Sequence, residues 1–268
     1  MTGADHSSEI THTKPISPVL QIAAVVWVIF LYYGIQLLTQ AWAVYPHLDL
    51  PEQWTQHGNW VQTIDHHIWQ MLLALVLIFI LSRGRLERWG LNLHNAGESL
   101  RLLWKFIKIV GLYLIGVGFL IQLFFYPRPE AEFPITVANV TGRLLFMGLI
   151  SGLSEEILFR GFMQTFLYRF FKGLYRWGPV EIPVAGLITA IIFSLVHINF
   201  RFFPFEITHL SIPQLLLAFG LGLYYAYAYH QTRSLLNPIL AHNFVNGALY
   251  LSQLLLVLLP FNFSFSLG

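Results

Sequence analysis

Long apolar stretches separated by short polar segments are the dominant pattern along the chain. Stretches of about 20 apolar residues are long enough to cross a bilayer as helices, and the pattern predicts seven of them. The second is short and the fourth is long and interrupted, so an eighth span is possible. The sequence therefore predicts an all-α, polytopic transmembrane helix bundle with spans near residues 19–43, 66–82, 104–126, 140–168, 182–200, 212–230 and 237–259.

The same pattern divides the chain into segments. Residues 1–17 are polar and predicted to be disordered, and 261–268 form a short tail. Residues 18–135 carry the N-terminal transmembrane helices, with a basic, Leu- and Trp-containing segment at 83–103 expected to lie on the membrane interface. The remaining residues, 136–260, form a C-terminal helical core. The first apolar stretch is too long for a cleaved signal peptide, so it is interpreted as a retained anchor.

Composition supports a membrane protein. Hydrophobic residues make up 56% of the chain and charged residues 10%, and the mean hydropathy is +0.62. A soluble domain carries about a quarter charged residues, so this chain lacks the charges to cover a soluble surface. The lipid bilayer is its expected surrounding, and no nucleic-acid partner is expected. The absence of cysteine excludes disulfides, thiolate metal ligands and a cysteine nucleophile.

The distribution of basic residues predicts the orientation. With the N-terminus in the cytoplasm, 11 of the 15 Lys and Arg residues fall on cytoplasmic segments, three fall outside and Arg160 lies within the membrane. This bias agrees with the positive-inside rule. The predicted cytoplasmic residues are Lys14, Arg83, Arg85, Arg88, Arg101, Lys105, Lys108, Arg169, Lys172, Arg176 and Arg233, and the outer ones are Arg128, Arg143 and Arg201.

Three charged residues interrupt the fourth apolar stretch, in "SGLSEEILFRGFMQ" at 151–164. Each ionisable side chain near the bilayer centre costs about 2.5–3.5 kcal/mol on insertion scales. Glu156 and Arg160 are spaced i,i+4 and can form an ion pair. Glu155 lies about 100° round the helix and has no local cation. It is therefore expected to face a polar cavity or a partner on another helix.

Partners for Glu155 are present on two later helices. "FSLVHINF" places Phe193 and His197 at i,i+4 on the fifth helix, and "NPILAHNFVNGA" places His242 and Asn246 at i,i+4 on the seventh. Asn237 is expected to cap the seventh helix, with Pro238 at its first position. One histidine within a membrane is usually a hydrogen-bonded packing residue. Two histidines, an asparagine and an unpaired glutamate instead favour a shared site.

Several intramembrane protease classes lack their required residues. An aspartyl protease needs two aspartates within spans, but Asp5, Asp49 and Asp65 all lie outside the predicted stretches. No histidine is followed by glutamate, which excludes an HExxH zinc site. The "GLISG" segment lacks the GxSG spacing of a serine nucleophile, so Ser151 is interpreted as a small packing residue.

Three short motifs resemble a known family. "EEILFR" matches EExxxR, "FSLVH" matches FxxxH and "HNFVN" matches HxxxN. In this order they resemble the CPBP intramembrane proteases, the superfamily of the CAAX prenyl endopeptidase and the bacterial Abi proteins. "LERWGLNL" also resembles the segment that precedes the family core. The resemblance implies an endopeptidase with Glu155 as principal base, further functional residues His197, His242 and Asn246, and supporting roles for Glu156 and Arg160.

Two chemistries remain open at this stage. In the favoured one no cofactor is needed: Glu155 and His197 activate a water, and His242 and Asn246 donate to the oxyanion. In the alternative, His197, His242 and Glu155 bind zinc and leave one position open. The substrate would be a membrane-associated or lipid-modified protein or peptide, and the compact loops favour a multi-pass protein of a bacterial plasma membrane.

Functions other than proteolysis are also compatible with the residues. A proton-coupled transporter could use Glu155 as its proton site, although neither the internal repeats nor the broken helices of transporters were found. A non-catalytic membrane partner or immunity-type protein is the other alternative.

Overall fold

The chain is described by a computed structural model that covers residues 16–178, 180–201 and 203–259. The predicted tail at 261–268 and nearly all of the polar segment 1–17 lie outside these residues. Within them, seven helices longer than ten residues form the bundle. They are α1 (Pro18–Ala41), α2 (Trp60–Ser82), α3 (Ala96–Phe125), α4 (Val137–Leu167), α5 (Val184–Leu195), α6 (Ile212–Thr232) and α7 (Leu236–Leu258).

Each predicted apolar stretch corresponds to one of these helices, which confirms the all-α polytopic fold. Five of them, α1, α2, α3, α4 and α7, are long and apolar enough to cross a membrane. α5 is shorter, with 12 residues. α6 has 21 residues, but its tyrosines and other polar residues keep it below the hydropathy of the five. The seven predicted spans therefore correspond to seven helices, and length and hydropathy support five of these helices as membrane spans.

Two small antiparallel hairpins supplement the helices and were not predicted. Strands β1 (Leu174–Trp177) and β2 (Val180–Pro183) connect α4 to α5. Strands β3 (Asn199–Arg201) and β4 (Glu206–His209) connect α5 to α6. Because they precede and follow α5, the hairpins lie at opposite ends of the bundle. Both expose large aromatic side chains, as expected near a membrane surface: Tyr175 and Trp177 on one, Phe203 and Phe205 next to the other.

Side chains near the helix ends fix where several helices begin. Asn59 accepts a hydrogen bond from the Trp60 N–H at the start of α2, and Thr136 accepts one from the Asn139 N–H at the start of α4. The prediction that Asn237 caps α7 is wrong. The helix begins at Leu236, whose N–H donates to Ser234 Oγ at 3.2 Å. Asn237 instead donates to the Ser99 carbonyl of α3 at 2.9 Å, because its side chain points to the neighbouring helix.

The segment 83–103, predicted to lie on the interface, contains a 3₁₀ turn at Leu86–Trp89 followed by the first residues of α3. Trp89 is buried, and the Arg169 guanidinium lies 5.3 Å from its ring centroid. α3 continues without a break from its amphipathic start to Phe125. The amphipathic portion is therefore the first part of a longer helix.

α4 is the central helix of the bundle. It contacts α2, α5, α6 and α7, and every residue of its segment Ile157–Gln164 is buried. α1 packs on α2, and α3 packs on α7. This arrangement buries the part of α4 that carries Glu156 and Arg160, so both charges require partners inside the bundle.

Two π-helical segments in α4, Phe146–Ile150 and Ile157–Gln164, flank Ser151–Glu156. Asn243 of α7 satisfies backbone groups near the first segment. Its Oδ1 accepts from the Gly152 N–H at 2.9 Å, and its Nδ2 donates to the Leu149 carbonyl at 3.0 Å. A Cβ at Gly152 would lie 2.6 Å from Asn243 Oδ1, so the close approach of α7 requires glycine there. π-segments frequently occur at functional sites.

Candidate active site

A chain of buried polar contacts connects α4 to α7. Arg160 Nη1 donates to Glu156 Oε1 at 3.1 Å, and both side chains are fully buried. This is the ion pair that the i,i+4 spacing predicts. The same Oε1 accepts a hydrogen bond from His242 Nδ1 at 2.8 Å. Arg160 Nη2 also donates to the Gly222 carbonyl of α6 at 3.0 Å. Glu156 therefore joins the arginine to a histidine on another helix.

The contact with Glu156 indicates which ring nitrogen of His242 carries the proton. A carboxylate only accepts hydrogen bonds, so Nδ1 must carry the proton. In the neutral imidazole, Nε2 is then an acceptor. It lies 3.9 Å from Glu155 Oε2, and the Glu155 side chain is 19% exposed. The two neighbouring glutamates thus contact opposite sides of one imidazole, Glu156 by a direct hydrogen bond and Glu155 across a gap.

Aromatic rings surround the buried charges. The Tyr225 ring stacks on His242, with centroids 5.2 Å apart and planes at 10°. The Phe193 ring meets His242 edge to face at 5.8 Å. The Arg160 guanidinium lies 4.7 Å from the Phe193 centroid and 5.2 Å from that of Tyr225. Phe193 of the FxxxH motif therefore helps to hold both Arg160 and His242, while sequence reasoning missed Tyr225.

His197 was predicted on the fifth helix but lies just beyond it. α5 ends at Leu195, and His197 follows in a turn where its N–H donates to the Ser194 carbonyl at 3.1 Å. Its Nδ1 makes a 2.7 Å hydrogen bond to the Phe193 carbonyl. A carbonyl only accepts, so Nδ1 carries the proton and the neutral ring has an unprotonated Nε2. His197 lines the same cavity as Glu155.

Asn246 does not contact Glu155 directly. Its Nδ2 donates to Ser151 Oγ at 3.0 Å. Ser151 lies four residues before Glu155, and Asn246 four residues after His242. α4 and α7 therefore make two successive contacts about 6 Å apart along the helices. Ser151, predicted to be only a small packing residue, is the partner of Asn246. Within the described part of the chain, the second N–H of the Asn246 amide is available for another acceptor.

A polar cavity of about 470 Å³ adjoins Glu155 and His197. Its far wall comes from α1 and α2, which carry none of the three motifs. Ser154 Oγ accepts from Gln70 Nε2 at 2.8 Å and lies 3.0 Å from His67 Nδ1. Gln36 Nε2 donates to Gln70 Oε1 at 3.0 Å. Sequence reasoning missed these residues, although "IDHHIWQ" at 64–70 is unusually polar for the start of a span.

The zinc alternative requires His197, His242 and Glu155 to converge. Among the residues that the structure describes, no three His, Asp or Glu side chains are grouped closely enough to hold a metal ion. His242 donates Nδ1–H to Glu156, which leaves Nε2 as the nitrogen that could face a ligand. The three predicted ligands do not form a zinc site in this arrangement.

The apolar helices and the enclosed carboxylate–histidine–arginine cluster define the class of protein: a polytopic helical membrane protein with a polar site within the bundle. Known proteins agree with this class. Residues 137–248 match the family model described as type II CAAX prenyl endopeptidase Rce1-like. This segment holds all three motifs and extends from the start of α4 into α7. The resemblance to the CPBP family, based on these motifs, is confirmed over this segment.

A curated relative supports the same assignment. Over 128 residues the chain is 30% identical to the membrane-embedded CAAX protease MroQ of Staphylococcus aureus (strain USA300). The aligned region covers 47% of this chain and 46% of that protein, so the match spans about half the length of the curated relative. No solved structure matches the chain.

Proposed function

We propose that this protein is an intramembrane endopeptidase that activates water with Glu155 and His242. One observation carries the proposal: the 3.9 Å gap between His242 Nε2 and Glu155 Oε2. Both atoms are acceptors, so the gap suits a water that donates one O–H to each. Glu155 is partly exposed beside the polar cavity, where a water and a peptide carbonyl could both enter.

In the proposed reaction, Glu155 accepts a proton as the water oxygen attacks the carbonyl carbon of the peptide bond. The carbonyl oxygen becomes an oxyanion in the tetrahedral intermediate. The C–N bond then breaks, and the proton on Glu155 passes to the leaving amine. His197 Nε2, unprotonated in the neutral ring, provides a second acceptor at the cavity to hold the water or receive its proton.

Asn246 is the proposed oxyanion donor. One N–H of its amide is held by Ser151, which fixes its orientation, and the other is free to donate one helical turn from Glu155. A donor placed in advance costs no reorganisation during the reaction. His242 also becomes a donor at Nε2 if it takes up a proton during the reaction.

Glu156 and Arg160 act in support in this proposal. Glu156 holds His242 in the tautomer that presents an unprotonated Nε2, as a carboxylate does in other catalytic histidine pairs. Arg160 holds the Glu156 carboxylate in place by pairing with it in a fully buried environment. No step of the proposed reaction passes through a metal.

The proposed substrate is a protein or peptide at the membrane, in keeping with the protease names of the family model and of the curated relative. The proposed location is a bacterial plasma membrane, in which the chain spans the bilayer several times.

The test is cleavage by the purified full-length protein of a random peptide library, read by mass spectrometry. We expect cleavage by the wild type and a rate about 10²–10⁴-fold lower for Glu155→Gln. A folded wild type that cleaves nothing would favour the non-catalytic partner, and proton-coupled uptake into liposomes would favour the transporter.

Elemental analysis distinguishes the two chemistries. The proposal expects no stoichiometric zinc in the active wild type and no effect of chelator. Stoichiometric zinc that disappears in His242→Ala but persists in Asn246→Ala would replace the water-only reaction with the zinc alternative.

A further inference from the structure

The cavity beside Glu155 opens at one end of the bundle. Glu155 is partly buried, whereas Asn199, His209 and Gln214 on the same cavity are exposed. These three residues lie in or next to the β3–β4 hairpin, after the end of α5 and at the start of α6. Gln36, in the second half of α1, contacts Gln70, in the first half of α2. The cavity therefore opens where α1 and α5 end and α2 and α6 begin.

Basic residues are concentrated at the opposite end. Ten of the described Lys and Arg residues lie on segments near the ends of α2, α4 and α6 and the start of α3, and three lie on segments at the cavity end. Arg160, fully buried, belongs to neither set. The three at the cavity end are Arg128, Arg143 and Arg201. Membrane proteins keep their Lys- and Arg-rich short loops in the cytoplasm, so the cavity end faces away from it.

We propose that the active-site cavity opens on the extracytoplasmic side of the membrane and admits an unmodified, polar peptide segment from that side. The proposal rests on the proposed protease function and adds the side of entry and the class of substrate. It depends on two independent features: the charge bias, which gives the side, and the cavity lining, which gives the class.

The lining favours a hydrated peptide over a prenyl chain. Phe159 and Val196 are the two purely apolar side chains among the described residues that line the cavity. The others carry hydroxyl, amide, imidazole or carboxylate groups, and His209 and Gln214 at the mouth are joined by a 2.9 Å hydrogen bond. An isoprenoid is held by apolar surface, and burying it against unpaired polar groups would cost free energy. Side chains of this kind instead suit the amide groups of an extended peptide.

Sidedness can be measured without any assay of activity. The natural chain has no cysteine, so a single introduced thiol reports its own location. We choose Gln214→Cys at the cavity mouth and Lys172→Cys at the other end, because both positions are exposed. In intact bacterial cells, a membrane-impermeant maleimide should label Gln214→Cys at least tenfold faster than Lys172→Cys. Permeabilisation should make the two rates similar. The reverse order, or equal labelling before permeabilisation, overturns the proposed side.

The substrate class is tested with membrane vesicles of both orientations. The probes are a random, membrane-impermeant peptide library and the same library carrying a C-terminal farnesyl group. Right-side-out vesicles should cleave the unmodified library, inside-out vesicles should not, and farnesylation should not raise the rate. Cleavage confined to inside-out vesicles, or to farnesylated peptides, overturns the inference while the protease function stands. If Gln214→Cys labels from outside but detergent-solubilised protein cleaves neither library, the side stands and the proposed function fails.

Discussion

Glu155 and Glu156 are neighbours on α4 but lie on different faces of the helix, and the two faces differ in burial and hydrogen bonding. Glu156 faces the interior, is fully buried, and bonds to Arg160 and His242. Glu155 faces the cavity, is partly exposed, and lies 3.9 Å from His242 without a direct hydrogen bond. Two identical side chains thus have different environments: the Glu156 carboxylate is buried and paired, and the Glu155 carboxylate faces a polar cavity.

In the proposed reaction, this difference separates the supporting role of Glu156 from the reactive role of Glu155. Oε1 of the buried Glu156 carboxylate is bonded to both Arg160 and His242, which offsets part of the cost of burying the group. Glu155 keeps an oxygen available because its surroundings do not saturate it. His242 of α7 lies between the two glutamates, since its Nδ1 contacts Glu156 and its Nε2 approaches Glu155.

The largest expected effect is the loss of turnover when Glu155, which faces the cavity, is replaced. Glu155→Gln keeps the shape of the side chain but removes the base, so turnover should fall by about 10²–10⁴. The apparent melting temperature in detergent should stay close to that of the wild type, because no direct hydrogen bond is lost. Peptide cleavage and a thermal melt check this. Turnover near the wild-type value would show that another group is the base.

On the buried face we expect a loss of stability. Glu156→Gln leaves the Arg160 guanidinium buried without its carboxylate, which should cost about 3–5 kcal/mol of folding free energy. Activity should also fall, because the introduced amide could present its N–H to His242 and change the tautomer. The matched control is the double variant Glu156→Gln with Arg160→Met, which removes the unpaired charge and should recover part of the loss in a thermal melt. An unchanged melting temperature in the single variant would contradict the structural role.

Variants of Asn246 and Ser151 test whether the Asn246 amide takes part in the proposed reaction. Asn246→Ala should lower kcat about 10²–10³-fold with little change in KM, as expected for a donor used mainly in the transition state. Ser151→Ala removes only the group that orients the amide, so its effect on kcat should be under about tenfold. Equal losses in both variants would mean that Asn246 acts through its packing with Ser151.

The smallest effect on stability is expected at the contact between α2 and α4. Ser154→Ala removes the shared partner of Gln70 and His67. Gln70 is buried, so leaving its Nε2 without this acceptor should cost about 1–3 kcal/mol of stability. The control is Ser252→Ala, since the Ser252 hydroxyl donates to the Ala248 carbonyl of its own helix. Thermal melts of the two variants should differ, and equal melting temperatures would argue against the α2–α4 contact.

The sequence by itself predicted much of the fold. Apolar stretches of spanning length located the seven helices, because insertion into lipid demands such stretches whatever the tertiary packing. It also predicted the Glu156–Arg160 pair, since i,i+4 neighbours meet on any helix. The motif residues Glu155, His197 and His242 were expected at a common site, and the structure places Glu155 near both the cavity of His197 and the imidazole of His242.

Only the tertiary structure decided which glutamate bonds to His242. It also decided that Asn243, rather than Asn246, forms hydrogen bonds with backbone groups of α4, and that α1 and α2 complete the cavity. These contacts join residues more than 80 positions apart. They depend on how helices cross and where π-segments shift the register, which local spacing does not specify. The sequence determined which charged residues lie within the apolar stretches. The packing of α2, α5 and α7 around α4 decided that Glu156 is buried and paired while Glu155 lines the cavity.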